Sequence, residues 1–347
     1  MKALVSGGGG FLGSAIVRRL VARGDEVTSI SRGDYPALAK LGVRHLRVDL
    51  ANRDAVRDAV EGHDTVFHVA AKAGVWGPRE DFWRANVEGT RNLLCSALDA
   101  GVRRFIHTSS PSVCFDGGDH VDAGNDVPRA TRFLAAYPET KAIAEACVLD
   151  ANGERGMATC ALRPHLIFGP GDPHLIPRLV QRARAGKLAI VGPGTNVVTL
   201  TYVENGALAH LAAADALESG APHAGKAYFV GQEQPVQLWP WINALLERLG
   251  ERPVTRRVPL RAAFAAGALM EATWRAMRLR GEPRMTRFIA LQLATSHSYS
   301  MEPARRDFGY REEVGMDEAL DRTVAWLQSA HPNSSAMPTA KLGGDQR

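Results

Sequence analysis

Four consecutive glycines, Gly7 to Gly10, join an apolar run from Lys2 to Ser6 to an amphipathic pattern that begins at Phe11. A glycine turn between a strand and a helix lets the backbone approach a ligand closely. It also leaves the free N–H groups of the helix's first turn, at the positive end of the helix dipole, aimed at that ligand. The rest of the first half keeps the same rhythm. Strand patterns at Lys2 to Ser6, Glu26 to Ser31, Val43 to Val48, Thr65 to Val69, Arg104 to Thr108 and Ala158 to Arg163 alternate with helical patterns at Phe11 to Arg23, Arg53 to Val60, Asp81 to Ala100 and Tyr137 to Ala151. Six such strands with right-handed crossovers predict a doubly wound parallel α/β sheet, whose ligand crevice lies beyond the carboxyl ends of the strands. The loops after Ser6, Val69, Thr108 and Arg163 therefore carry the function.

Past Pro164 the alternation fails. Helical patterns at Pro173 to Ala185, Val203 to Glu218 and Leu238 to Gly250 are separated by short strand-like pieces, which predicts a smaller mixed α/β domain. The chain divides accordingly: residues 1–164 as a dinucleotide-binding domain to which some later segments return, 165–330 mainly as a substrate domain, and 331–347 as a polar, disordered tail. Between Leu260 and Arg280, Phe264, Gly267, Met270, Trp274 and Met277 form one helical stripe, read as a packed face or as a lid or membrane-surface contact.

Composition narrows the function. A net charge of +5, from 42 Lys and Arg against 37 Asp and Glu, is interspersed and not clustered, so nucleic-acid binding gains no support. The four cysteines, Cys95, Cys114, Cys147 and Cys160, and the eleven histidines fall into no metal-ligand spacing and no disulfide framework. No apolar run approaches the ~20 residues of a membrane span, and the start of the chain leaves no room for a secretion signal, so a cytoplasmic protein is expected.

The glycines fit two registers, Gly8, Gly10 and Gly13 or Gly7, Gly10 and Gly13. NAD binders usually end the second strand with an acid that takes the ribose 2′-hydroxyl; here Ser31 and Arg32 stand there, which suits the 2′-phosphate of NADP(H). Asp34 nearby keeps NAD(H) open. Asp49, after the third strand, faces the adenine edge or caps the next helix.

Tyr137 and Lys141 lie four residues apart, on one face of a helix opening at Tyr137 with Pro138 in its first turn. A free phenol with a pKa of ~10 is a poor acid–base group at neutral pH unless a nearby cation favours phenolate, and Lys141 would supply it. A hydroxyl to orient a carbonyl oxygen completes the set, and the fifth strand delivers Ser109 and Ser110 into the crevice.

These motifs, with His68-Val69-Ala70-Ala71 and Asn86-Val87-Glu88-Gly89-Thr90, resemble the extended short-chain dehydrogenase/reductase family over nearly the whole chain. Leu162-Arg163-Pro164-His165 through Pro173, and Thr201-Tyr202-Val203-Glu204-Asn205, look like its 3β-hydroxysteroid dehydrogenase branch, which includes enzymes acting on sterol 4α-carboxylates and on 2-alkyl-3-oxoalkanoates. The family's Ser-x-x-Val pattern, counted back from Val113, implies Ser110 as the catalytic hydroxyl beside Tyr137 and Lys141, with Ser109 as runner-up. It further implies a Rossmann cofactor site made by Gly7, Gly10, Phe11, Leu12, Gly13, Arg32, Asp49, Leu50, Ala70, Ala71, Tyr137, Lys141 and Pro164, and a homodimer paired through the long helices.

The resemblance implies an NADP(H)-dependent oxidoreductase of lipid metabolism that interconverts a ketone and a secondary alcohol on a bulky apolar substrate, a 2-alkyl-3-oxo acid or a 3β-hydroxysteroid or sterol. Phe264, Met270, Trp274, Met277, Phe288 and Leu291 would line its pocket or simply pack a core, and Arg178 or Arg182 would answer a carboxylate or face water. His165 reads as a hydrogen-bonded structural ring or as one that reaches the nicotinamide or substrate, and His68 and His107 as buried neutral ones. Two rivals remain: a nucleotide-sugar epimerase or dehydratase with retained NAD, and a non-catalytic dinucleotide sensor.

Overall fold

The computed structural model describes residues 1–330. The expected tail, 331–347, lies outside them. The centre is a seven-stranded sheet, every strand parallel to its neighbours: β1 (Lys2–Ser6), β2 (Glu26–Ser31), β3 (Arg44–Arg47), β4 (Thr65–His68), β5 (Arg104–Thr108), β6 (Ala158–Pro164) and β7 (Lys226–Val230). Their order across the sheet is β7-β6-β5-β4-β1-β2-β3. Because β1 is flanked by β2 on one side and β4 on the other, the connections leave it in opposite directions, and the crevice opens above its carboxyl end.

Both faces of the sheet are covered, which is why its strands read as continuous apolar runs. Ala3 and Val5 point into one core with Ile16 and Leu20 of α1 (Phe11–Ala22), whereas Leu4 points into the other with Val66, Phe105 and Val56 of α2 (Arg53–Val60). The second core is closed by Leu93 of α3 (Gly89–Asp99) and Val148 of α4 (Ala136–Asp150).

The second half supplies more of the sheet than its pattern suggests. Strand β7 pairs with β6 in register from Lys226↔Cys160 to Val230↔Pro164, giving a seventh strand where the sequence predicts six. It is a short run separated from its partner by helices, so only tertiary pairing reveals it. The remaining chain forms α5 (Leu175–Arg184), α6 (Val203–Ala216), α7 (Leu238–Arg248) and α8 (Leu260–Ala276), with a small sheet in which His297–Tyr299 lies between Val197–Val198 and His120–Ala123.

Two further expectations are corrected. The helix foreseen over Asp81 to Ala100 begins at Arg79 and passes through a π-helical turn, Trp83–Glu88, before α3. Along α8, Gly267 meets the backbone of Thr286 and Arg287, where a Cβ would lie 2.6 Å from a carbonyl carbon. Met277 does not share that packed stripe: the helix ends at Ala276, the chain turns through a left-handed Arg278, and Met277 is 67% exposed.

Candidate active site

The glycine turn is shaped by contacts that exclude side chains. Gly7 takes a left-handed φ of 73°, and a Cβ there would lie 2.9 Å from the backbone of Ala70. A Cβ on Gly13 would lie 2.1 Å from the Gly7 carbonyl oxygen, so α1 seats directly on the turn. A Cβ on Gly8 would lie 2.5 Å from Ser29 Oγ, so the glycines that open both registers exclude a side chain, Gly7 by its φ as well. Gly10 is the N-cap of α1, and no side chain among the described residues caps that end. Phe11 is half-buried beneath Gly171, and Leu12 is buried against Gly206. A narrow cradle with an open helix N-terminus fits the pyrophosphate of a dinucleotide.

At the end of β2 the Ser31 hydroxyl is buried with no hydrogen-bond partner among the described residues, as expected of a group that meets a ligand. Arg32 is exposed beside it. The β2–β3 register sets Arg47 opposite Ser31, and its guanidinium donates to the Arg32 carbonyl at 3.0 Å while facing Asp34 at 3.8 Å. Arg47 is a second cation at this corner that sequence reasoning missed. So is Tyr35, whose ring covers Gly9 and meets His45 edge-on at 5.6 Å between ring centroids, a further residue at this corner with no signal in the sequence. Asp49 does not cap α2, since that role falls to Asn52; its carboxylate accepts from the Ala51 N–H at 3.0 Å and from Arg84 at 2.8 Å. Leu50 packs on Gly89, Ala71 lies exposed in the loop after β4, and Pro164 is buried at the end of β6.

A chain of hydrogen bonds ties these strand ends together. Ser6 Oγ accepts from the Val69 and Ala70 N–H groups and donates to His68 Nδ1 at 2.7 Å. His68 Nε2 in turn donates to Thr90, whose hydroxyl donates to the Asn86 carbonyl. The Asn86 side chain holds both the N–H and the carbonyl of Lys72 and donates to Thr140 at 3.1 Å, coupling the loop after β4 to the first turns of α4. The π-turn aims Asn86 at both. Arg79 braces the same helix through two hydrogen bonds to Glu139, at 2.7 and 3.0 Å.

On that helix Tyr137 is half-buried and Lys141 is 2% exposed. Ser110 opens a 3-10 turn, Pro111–Val113, in which Pro111 fills a first position that needs no N–H. Burial pushes the Tyr137 phenol up, and a hydrogen bond with Ser110 opposes it. Lys141 points beneath the sheet: its amine donates to the Thr108 carbonyl at 2.5 Å and lies 3.3 Å from His107 Nε2. Burial brings its pKa down to about 7, against the pull of Glu145. Ser109 is occupied elsewhere. Its hydroxyl donates to Glu145 at 2.7 Å, in a buried network where Arg163 supplies two hydrogen bonds, at 2.7 and 2.8 Å, and Arg129 a weaker contact. Burial raises the Glu145 carboxyl, but these partners outweigh it and hold its pKa below the ordinary value.

The histidines read as structural sit accordingly. His165 meets the Thr199 carbonyl at 2.8 Å, and burial lowers it to about 4. Burial likewise brings His68 to about 3 and His107 well below its usual value. Phe288 is buried against Phe115 and Leu291 meets Gly117; Phe264, Met270 and Trp274 are partly covered. Arg178 pairs with Glu282 at 3.3 Å, and Arg182, half-buried, is pushed down by burial and by the nearby Arg178 and Arg284 charges.

Among known families, the model described as 3-beta hydroxysteroid dehydrogenase/isomerase matches residues 4–260. The chain is 48% identical over 327 residues to 2-alkyl-3-oxoalkanoate reductase of Stenotrophomonas maltophilia (strain K279a), covering 94% of this chain and 99% of that one. It is 36% identical over 337 residues to the decarboxylating sterol-4-alpha-carboxylate 3-dehydrogenase of Mus musculus, covering 95% and 91%. Among solved structures, UDP-glucose 4-epimerase of Thermus thermophilus in complex with NAD is similar with a TM-score of 0.73 at 25% identity, covering 95% of this chain and 100% of that one.

Proposed function

The chain belongs to the 3-beta hydroxysteroid dehydrogenase/isomerase family, and on that premise we propose that it interconverts a ketone and a secondary alcohol on a bulky apolar substrate, a 2-alkyl-3-oxo acid ahead of a sterol or steroid, using NADP(H). The observation that carries this is the placement of Ser110 directly after β5 and of Tyr137 in the first turn of α4, with Lys141 buried one turn along against the Thr108 carbonyl that ends β5. The preference for an oxo acid rests on the 48% identity with a reductase of that name. The preference for NADP(H) rests on Arg32 and Arg47 beside the Ser31 hydroxyl, which has no partner among the described residues, with Asp34 paired to Arg47 at 3.8 Å.

A bound nicotinamide dinucleotide supplies the hydride in reduction and takes it up in oxidation. Gly7, Gly10, Phe11, Leu12 and Gly13 would cradle it, Arg32 and Arg47 would hold its 2′-phosphate, and Asp49, Leu50, Ala70, Ala71 and Pro164 would border it. In reduction, Ser110 donates a hydrogen bond to the substrate carbonyl oxygen while Tyr137 passes its phenolic proton to that oxygen, leaving phenolate and a secondary alcohol. The Lys141 ammonium favours that phenolate. Oxidation runs the same proton back to Tyr137.

In this scheme residues 1–164 and strand β7 serve the cofactor, and the rest of the described chain serves mainly the substrate. The protein is then a cytoplasmic homodimer of lipid metabolism, paired through α3 and α4. Among the described residues no helix is long and apolar enough to cross a membrane. The exposed Leu269 and Met277, bordered by Arg275 and Arg278, would instead touch a lipid surface that holds such a substrate. A nucleotide-sugar epimerase is not better supported, since likeness to one is at 25% identity. A non-catalytic sensor leaves the set of Ser110, Tyr137 and Lys141 without a purpose.

Oxidation of NADPH and of NADH should be followed with 2-alkyl-3-oxo acids, 3-ketosteroids and UDP-sugars. Fastest turnover of an oxo acid with NADPH is expected. Turnover confined to UDP-sugars with NAD retained through purification would replace this reading with the epimerase.

A further inference from the structure

One buried group beside Lys141 has no part in the chemistry above. His107, on β5, is fully buried. Its Nε2 lies 3.3 Å from the Lys141 amine, while its Nδ1 is sealed in the core without a hydrogen-bond partner among the described residues. Among the described residues, none of the groups that bear on its ring is an acid that would compensate a charge there. His68 on β4 faces it with ring centroids 5.1 Å apart, and Lys141 on α4 and His210 on α6 bear on it as cations would. Both neighbouring imidazoles are fixed by other partners. His68 bridges Ser6 and Thr90, and His210 takes the Thr108 hydroxyl at 2.8 Å on Nε2 and donates from Nδ1 to the Gly206 carbonyl. His107 is therefore a neutral ring, and the one demand made on its Nε2 among the described residues comes from Lys141.

A buried donor or acceptor left unmatched is costly, so a histidine with one orphaned nitrogen needs a return at the other. An ammonium offers one, because a hydrogen bond from a charged donor is stronger than a neutral one. We propose that His107 is a positioning residue for Lys141: its Nε2 and the Thr108 carbonyl together fix the lysine amine beneath the sheet and favour its charged form, which Tyr137 requires. Without this acceptor the amine keeps the Thr108 carbonyl alone and must hold its charge in apolar surroundings, with Glu145, one turn further along α4, as the acid that opposes burial. The inference rests on the roles given to Tyr137 and Lys141, but its direct test needs neither cofactor nor substrate.

The test is a carbon-13 titration of lysine-labelled protein, with Lys141 assigned by its absence in Lys141→Gln, in wild type, His107→Leu, His107→Gln and His107→Asn. Glutamine places an amide oxygen where Nε2 lies; leucine and asparagine do not. His107→Leu and His107→Asn should lower the Lys141 midpoint by about one pH unit, since loss of an acceptor disfavours the ammonium, while His107→Gln stays near wild type. In the holoenzyme, the alkaline limb of the kcat profile should move down by the same amount in the first two variants. An unchanged midpoint in folded His107→Leu overturns the proposal. Should that variant not fold, equal midpoints in the glutamine and asparagine variants overturn it. A midpoint that shifts as expected in a protein inactive on every ketone would support the His107 contact while refuting the proposed function.

Discussion

Burial opposes ionisation of Tyr137, so whatever makes it useful must come from its neighbours. Ser110 contributes a hydrogen bond that opposes burial, whereas the Lys141 amine is held by the Thr108 carbonyl and His107, and the phenol stays above its ordinary value, not below it as the spacing of the two residues leads one to expect. Tyr137→Phe should cut turnover by roughly 10²–10⁴-fold and leave cofactor affinity, read by fluorescence titration, intact. The two adjacent serines should separate cleanly. Ser110→Ala should lower kcat with little change in Tm. Ser109→Ala should instead destabilise by about 1–3 kcal/mol, because it removes a partner of the buried Glu145 carboxylate. Reversal of that pattern in the two assays would move the substrate hydroxyl to Ser109. Spacing to Val113 already singles out Ser110, whereas the Arg163–Glu145 network that occupies Ser109 joins residues far apart in the chain and has no sequence signature.

Among the elements, the junction of β1 with α1 tolerates least. Gly13→Ala forces a methyl into the Gly7 carbonyl, so it should both weaken dinucleotide binding by at least tenfold and lower Tm, checked by titration and thermal unfolding. Normal binding in that variant would show that the turn can open. The strands of the first half were legible because a parallel sheet covered on both faces needs continuous apolar runs, and the glycine turn because its backbone demands are local. What stayed hidden depends on register or on distant pairing. Arg47 reaches the β2 corner only through its alignment with Ser31, Tyr35 covers Gly9 by folding back, and β7 becomes a strand only beside β6. The π-turn at Trp83–Glu88 follows from where Asn86 must point, a tertiary requirement that a 3.6-residue period conceals.

At the scale of the whole molecule, neutral imidazoles stored in the core make stability depend on pH. Burial lowers His68 to about 3, and His165 and His210 to about 4, whereas the same side chains unfolded titrate near 6.5. Between these values the unfolded chain binds more protons, so the share of stability that these rings carry is complete above about pH 6.5 and declines as the pH falls toward 4, while Lys141, brought down to about 7, adds stability as the pH rises above 7. Glu145, held below its ordinary value, adds to the loss at the acid end. Thermal unfolding should show a Tm that rises from pH 7 to 8 with Lys141 and lies lower by on the order of 10 °C at pH 4.5 than at pH 7; a flat profile from pH 7 down to 4.5 would mean these rings are reached by water. Strand β7 has a different reach. Since it completes the sheet from beyond α6, a nascent chain emerging from the ribosome holds β6 as a bare edge until Val230 has been made. A truncation that ends at Pro164 should expose that edge to other molecules and yield oligomers, not an independent half-enzyme.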